Sequence, residues 1–166
     1  MTAVRRATPT DARAIADVHV ATWRAAYTHA FPAEVLDSLS VDEREQMWRR
    51  AMANDAISVY VAETDEIVGF VSVGPSSQAE GEGELYAIYV RPDSWGSGAG
   101  AALMEAARGW LAERFSTAIL WVLEDNPRAR RFYEREGWVV DGHRTDVVQG
   151  VEVPEVRYRL SGLERR

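Results

Sequence analysis

Residues Trp95 to Leu103 read Trp-Gly-Ser-Gly-Ala-Gly-Ala-Ala-Leu, a glycine-dense loop that runs into a helix-forming stretch. Such a loop turns several backbone N–H groups toward one point, which makes a cradle for a phosphate. A flexible strand-to-helix turn would have a similar composition, but three alternating glycines are entropically costly unless a ligand approaches closely. Gly96, Gly98 and Ala101 formally fit the dinucleotide fingerprint, and Glu124 lies at roughly the required spacing of about 20 residues. Against that fit, Arg91 to Trp95 separate the glycines from the preceding strand, and only 66 residues follow Gly100, too few for a second mononucleotide-binding half. A nicotinamide-dependent enzyme is therefore the weaker alternative.

What the chain lacks removes other chemistries. With no Cys there is no disulfide frame, thiol nucleophile or thiolate metal site. All 19 basic residues are Arg, so neither a phosphate-loop lysine nor a Schiff base can form. His19, His29 and His143 have no metal-ligand spacing, and no metal is expected. The net charge of −7 disfavours nonspecific nucleic-acid binding and favours cationic partners such as amines. The chain has no run of about 20 apolar residues that would imply a membrane. Met1 to Arg6 lacks the apolar core of a secretory signal, so the cytoplasm is the expected compartment. The 166 residues suit one domain, spanning 1–166, that buries roughly two thirds of its unfolded surface. Its expected assembly is a monomer or homodimer.

The elements that must carry the loop follow from patterning. Val4 to Ala7 reads as an opening strand, and Thr8-Pro9-Thr10-Asp11 as the cap of a helix with Ile15, Val18, Thr22 and Ala25 on one face. Phe31-Pro32 breaks that helix, and a second helical pattern runs from about Val41 to Ala53. Ile57–Ala62 and Ile67–Val73 alternate as a hairpin, followed by a polar loop, Ser76 to Gly83. Next come a strand, Glu84–Val90, a helix, Gly100 to about Arg114, and a buried strand, Ala118–Leu123. Asn126 caps a further helix, Pro127–Glu136, which Gly137 ends. Two last strands, near Trp138–Val140 and Val153–Leu160, flank a loop holding Asp146 and Gly150.

Asn126-Pro127-Arg128-Ala129, continuing through Phe132-Tyr133 to Gly137-Trp138, joins Glu84-Leu85-x-x-Ile88-Tyr89-Val90-x-Pro92 and the glycine loop as a third motif. In this order and spacing the three resemble the GNAT superfamily of acetyl-CoA-dependent N-acetyltransferases, most clearly over Ile57 to Trp138. The resemblance implies an α/β fold: a mostly antiparallel sheet of six or seven strands with splayed fourth and fifth strands and helices on both faces. It further implies that the backbone of Ile88, Tyr89 and Val90 pairs with the pantetheine arm of acetyl-CoA. The loop Gly96, Ser97, Gly98, Ala99, Gly100 and Ala101 would hold the pyrophosphate. Trp95 stands where the family usually has Arg or Gln, which costs one polar contact to the phosphates.

The same resemblance places Asn126 near the pantetheine and gives Tyr133 the protonation of the departing thiolate. Asn126 would serve equally as a helix cap, and Tyr133 as a core aromatic. Glu84 resembles the glutamate that removes the amine proton, and it takes the alternation step shared with Tyr86, Ile88 and Val90. Its other reading is a solvated strand-end acid. If it were one, a water-linked carboxylate such as Glu124 would supply the base. Trp23 and Tyr27, with Phe31 and Trp48, lie in the region that walls the acceptor pocket in this family, although core packing claims at least half of them. The four arginines of the Pro127–Glu136 helix could reach the 3′-phosphate or simply form a solvated face. The expected reaction moves an acetyl group to a primary amine of a small molecule, a peptide N-terminus or a protein lysine. A noncatalytic acyl-CoA-binding module of the same fold is the alternative.

Overall fold

The computed structural model describes residues 2–163. Met1 and residues 164–166, the ends of the expected 1–166 domain, lie outside the described residues. Among the described residues, seven strands form one sheet in the order β1-β2-β3-β4-β5-β7-β6, where β1 is Ala3–Arg6, β2 Ser58–Glu63, β3 Ile67–Pro75, β4 Gly83–Val90, β5 Ala118–Leu123, β6 Val139–Val148 and β7 Val151–Leu160. Neighbours pair antiparallel except β4 and β5, which run parallel and meet only at Gly83↔Ala118 and Glu84↔Ile119. Beyond Glu84 the two strands part, as the splayed pair was expected to do.

Helices cover both faces. Helix α4 (Ala99–Ala112) presses Leu103, Met104 and Leu111 against Val71, Val73 and Leu120, and α5 (Pro127–Arg135) adds Tyr133 to the same core. On the opposite face, α1 (Ala12–Ala26) and α3 (Val41–Ala53) bury Ile15, Val18 and Trp48 against Val61 and Phe70. Ala25, expected on the buried stripe of α1, is exposed at the helix end. The Asn126 cap is as read, accepting the Ala129 N–H at 3.2 Å, while Ser40, which sequence patterning did not single out, caps α3 by accepting the Glu43 N–H at 3.2 Å. A five-residue helix α2, Ala33–Asp37, follows the Phe31-Pro32 break, where sequence patterning shows no helix. Leu36 on it packs with Tyr27 and Phe31 over Leu123 of β5.

Two further features depart from the sequence reading. Residues 141–148, expected as a loop, belong to a ten-residue strand, β6, that returns through Gln149-Gly150. Both turn residues have positive φ, 51° and 77°, the geometry that matches a two-residue hairpin to strand twist. The stretch reads as loop because it is polar: β6 is an edge strand, alternately exposed and half-buried. Its support comes from ion pairs to β7, Asp141 with Arg157 and Arg159 and Arg144 with Glu155.

The second departure is a bulge. Ser72 pairs with Ala87 and Val73 with Leu85, which leaves Tyr86 without a partner on β3. One extra residue inverts the side-chain alternation beyond it. Leu85, Ile88 and Val90 therefore face α4, while Ala87 and Tyr89 face α1 and α3. Glu84, next to Leu85, shares the α1 face with Ala87 and Tyr89. Its expected alignment with Ile88 and Val90 does not hold.

Candidate active site

The parting of β4 from β5 leaves both facing edges unpaired, and a cleft of about 470 Å³ opens there. β4 from Glu84 to Val90 forms one side and Trp121 to Leu123 of β5 the other, with the end of α1 and the start of α5 above. A second lobe of about 270 Å³ lies over the glycine loop and shares Ile88, Val90, Trp95, Arg128, Ala129 and Tyr133 with the cleft. The two lobes thus form one continuous groove, and the expected site residues line it except Phe31, Trp48 and Glu124 and, for its backbone, Tyr89.

Backbone direction decides that exception. Arg91 donates its N–H to Val68 of β3 at 2.8 Å. Main-chain groups alternate sides along a strand, so those of Val90 and Ile88 turn toward the cleft and those of Tyr89 toward β3. Tyr89 reaches the site through its phenol instead. The Val90 carbonyl accepts Trp95 Nε1 at 2.8 Å and Thr22 Oγ1 at 3.4 Å, so it is already engaged.

In the glycine loop, Gly96 and Gly98 have φ of 80° and 90°, values that a Cβ makes costly, and Gly98 caps α4. As the first residues of α4, Ala99, Gly100 and Ala101 have N–H groups with no acceptor within the helix. Ser97 Oγ takes that of Ala99 at 3.3 Å. Gly100 differs from the other two glycines: it is helical, and a Cβ there would meet the Phe132 ring at an ordinary 3.5 Å. The loop's need for glycine is therefore conformational at Gly96 and Gly98 and slight at Gly100.

Three phenols converge over the middle of the cleft. Tyr89 accepts Trp23 Nε1 at 3.1 Å, Tyr27 sits against Tyr89, and Asn126 Nδ2 reaches the Tyr27 hydroxyl at 3.5 Å. Asn126 thus both caps α5 and faces the cleft. Tyr133 is 7% exposed, lies edge-on to Phe132 and tilted against Tyr158, and lines both lobes. Burial, then the neighbouring Tyr89 and Tyr158, hold its phenol well above the ordinary value. At neutral pH it carries its proton.

At the far end of the cleft, Glu84 is partly buried and accepts the Ser77 N–H at 3.4 Å. Desolvation raises its pKa, with Ser77 and the charge of Arg144 opposing. Trp23 and Tyr27 line the cleft, whereas Trp48 and Phe31 pack in the core, with Trp48 Nε1 donating to His19 Nδ1 at 3.2 Å. Burial pushes His19 down to about 3, so it stays neutral. Glu124 is exposed and lines neither lobe of the groove.

The sequence matches the acetyltransferase (GNAT) family over residues 15–138. The chain belongs to the GNAT family. An N-acetyltransferase of Bacillus subtilis, YuaI, is 39% identical over 132 residues, 76% of this chain and 75% of that protein. Among solved structures, the PaiA N-acetyltransferase of Thermoplasma acidophilum in complex with coenzyme A matches at a TM-score of 0.74 and 17% identity, covering 97% of this chain and 99% of that one. The yncA protein of Salmonella typhimurium, solved with its cofactor acetyl-CoA, matches at 0.73 and 18%, covering 96% and 93%.

In this GNAT chain the groove contains residues that sequence patterning did not bring forward. Glu155 on β7 is 9% exposed and pairs with Arg144 at 2.8 Å, and the Arg144 guanidinium lies 3.9 Å from the centre of the Trp121 ring. All three line the cleft across from Glu84. The signal was present as alternation in Val153–Leu160, but reading residues 141–148 as a loop left Glu155 with no partner strand. Among the described residues, no helix is long and apolar enough to cross a membrane.

Proposed function

We propose that this chain, as one N-acetyltransferase domain over 1–166, transfers the acetyl group of acetyl-CoA to a primary amine by direct attack, with no acyl-enzyme. One observation carries the reading: a single groove runs from helix-start N–H groups at Gly98–Ala101, past the cleft-facing backbone of Ile88 and Val90, to a protonated phenol and then a desolvated carboxylate. Phosphate, amide arm, thioester and amine are the groups that those features suit, in that order. The fit to acetyl-CoA rests on positive φ at Gly96 and Gly98 and on the unpaired β4 edge.

Bound acetyl-CoA supplies the activated acyl group. The chain's own groups handle protons and position. An alkyl amine, of pKa about 10.4, is protonated at neutral pH and cannot attack until it loses a proton. Glu84 Oε1 or Oε2 accepts that proton, and the burial that raises its pKa also strengthens it as a base. The Tyr133 hydroxyl, with no hydrogen-bond partner among the described residues, donates to the departing sulfur. Trp23 and Tyr27 confine the acceptor, and Glu84, whose charge is left over once Arg144 pairs with Glu155, favours a cationic one. Free CoA release and product mass, measured across a panel of small amines and peptides, test the proposal. Release that depends on an amine, with a product heavier by one acetyl group, is expected. Binding without release across the panel would make the chain an acyl-CoA-binding module.

A further inference from the structure

The lobe over the glycine loop is lined by two arginines, Arg128 and Arg135, and by no carboxylate. The loop itself brings no cation, since no arginine lies between Pro92 and Ala107. Trp95 offers a single donor, and Val90 uses it. In the β6/β7 hairpin, by comparison, Arg144, Arg157 and Arg159 all meet carboxylates. Among the described residues, neither Arg128 nor Arg135 has an ion pair. Burial and the charge of Arg135 both pull the Arg128 pKa below the usual guanidinium value. Two like charges held together beside a cradle of N–H groups are a cost that a bound anion removes.

Arg128 is also held in place. Its guanidinium lies 3.7 Å from the centre of the Trp95 ring, and that ring is pinned by the 2.8 Å hydrogen bond to the Val90 carbonyl. An arginine side chain normally loses much rotamer freedom when it grips a ligand, and stacking removes part of that cost beforehand. Arg128 lines both lobes, so it stands where a ligand passes from the loop into the cleft.

We propose that Arg128, stacked on Trp95, is the side chain that binds the pyrophosphate of the donor where it leaves the glycine loop for the cleft. Trp95 is a pedestal for this cation and contacts no phosphate itself. The assignment rests on the acetyl-CoA reading above. The phosphates of acetyl-CoA, not its acyl arm, then decide how tightly this site holds its donor.

Calorimetry with acetyl-CoA and with S-acetyl-pantetheine, which has the acyl arm but no phosphates, separates the contributions. Arg128→Gln should weaken acetyl-CoA binding about tenfold or more, as expected for a charge-assisted contact, and flatten its salt dependence. It should leave S-acetyl-pantetheine within twofold of wild type. Trp95→Leu should weaken acetyl-CoA selectively as well. Arg131→Gln removes the same charge from a residue of α5 that lines neither lobe, and it should change nothing. Wild-type acetyl-CoA affinity in folded Arg128→Gln, or equal losses for both ligands, would overturn the assignment while leaving the acetyltransferase reading intact. A wild-type chain that bound no acetyl-CoA would overturn both.

Discussion

Arg144 and Glu155 join at 2.8 Å across the β6/β7 hairpin, and through that pair the edge strand brings a cation to the carboxylate end of the cleft. The charge of Arg144 is one of the influences that hold down the pKa of Glu84. Arg144→Met should therefore raise the Glu84 pKa further and move the acid limb of the pH–rate profile to higher pH. It should also cost about 1–3 kcal/mol of stability, because Glu155 would be left nearly buried without its partner. The pH–rate profile and a denaturant titration check the two effects separately.

Glu84→Gln keeps the shape and removes the proton acceptor. The proposed base role predicts a fall in turnover of roughly 10²–10⁴-fold at neutral pH, shrinking at high pH where the amine deprotonates unaided. In the wild type the rate should rise with pH through the raised ionisation of Glu84, since only the carboxylate accepts a proton. Stability should run the other way. A carboxyl whose pKa is raised on folding holds its proton more tightly in the folded state, so ionising it destabilises the fold as pH rises through that window. Glu84→Gln should accordingly melt slightly above wild type at pH 7 and level with it in acid. Full activity with an unaltered profile would reduce Glu84 to a strand-end charge.

Tyr133→Phe tests the proton donor. Its phenol is buried and protonated, so its loss should lower kcat while acetyl-CoA affinity stays within a few-fold of wild type. Single-turnover measurements, where chemistry is visible, are the appropriate readout. Parallel losses in binding and melting temperature would instead mark Tyr133 as a packing residue beside Phe132 and Tyr158.

The glycines of the loop should divide. At Gly98, φ of 90° makes any Cβ costly by about 1–2 kcal/mol, and relaxing it would turn the first N–H groups of α4 away from the ligand. Gly98→Val should weaken acetyl-CoA binding strongly in a folded chain. Gly100→Ala, whose methyl would only touch the Phe132 ring, should bind close to normally. Calorimetry on the two variants decides whether the cradle depends on backbone conformation or on glycine content alone.

Local signals in the sequence were enough for the helices α1, α3, α4 and α5, for strands β1 to β5 and β7, and for the three motifs that the groove brings together. Each rests on interactions between near neighbours: 3.6-residue periodicity, Asn126 as a cap, glycines where φ turns positive. Several residues that line the groove were legible for the same reason, because Gly98, Ile88, Asn126 and Tyr133 sit inside short contiguous patterns. The tertiary structure decided the rest. Whether Glu84 faces α1 or α4 depends on a single bulge at Tyr86, set by pairing with Ser72 and Val73, and no pattern within β4 reveals it. Residues 141–148 became a strand only through ion pairs and ladder bonds to β7, and with that pairing Arg144 and Glu155 entered the site. Arg128 likewise met Trp95, 33 residues away, only when α5 settled beside the glycine loop. Side-chain type and spacing report what a segment can do by itself, whereas the partner of a polar or charged group in this fold comes from a distant segment and exists only once the sheet has closed around the cleft.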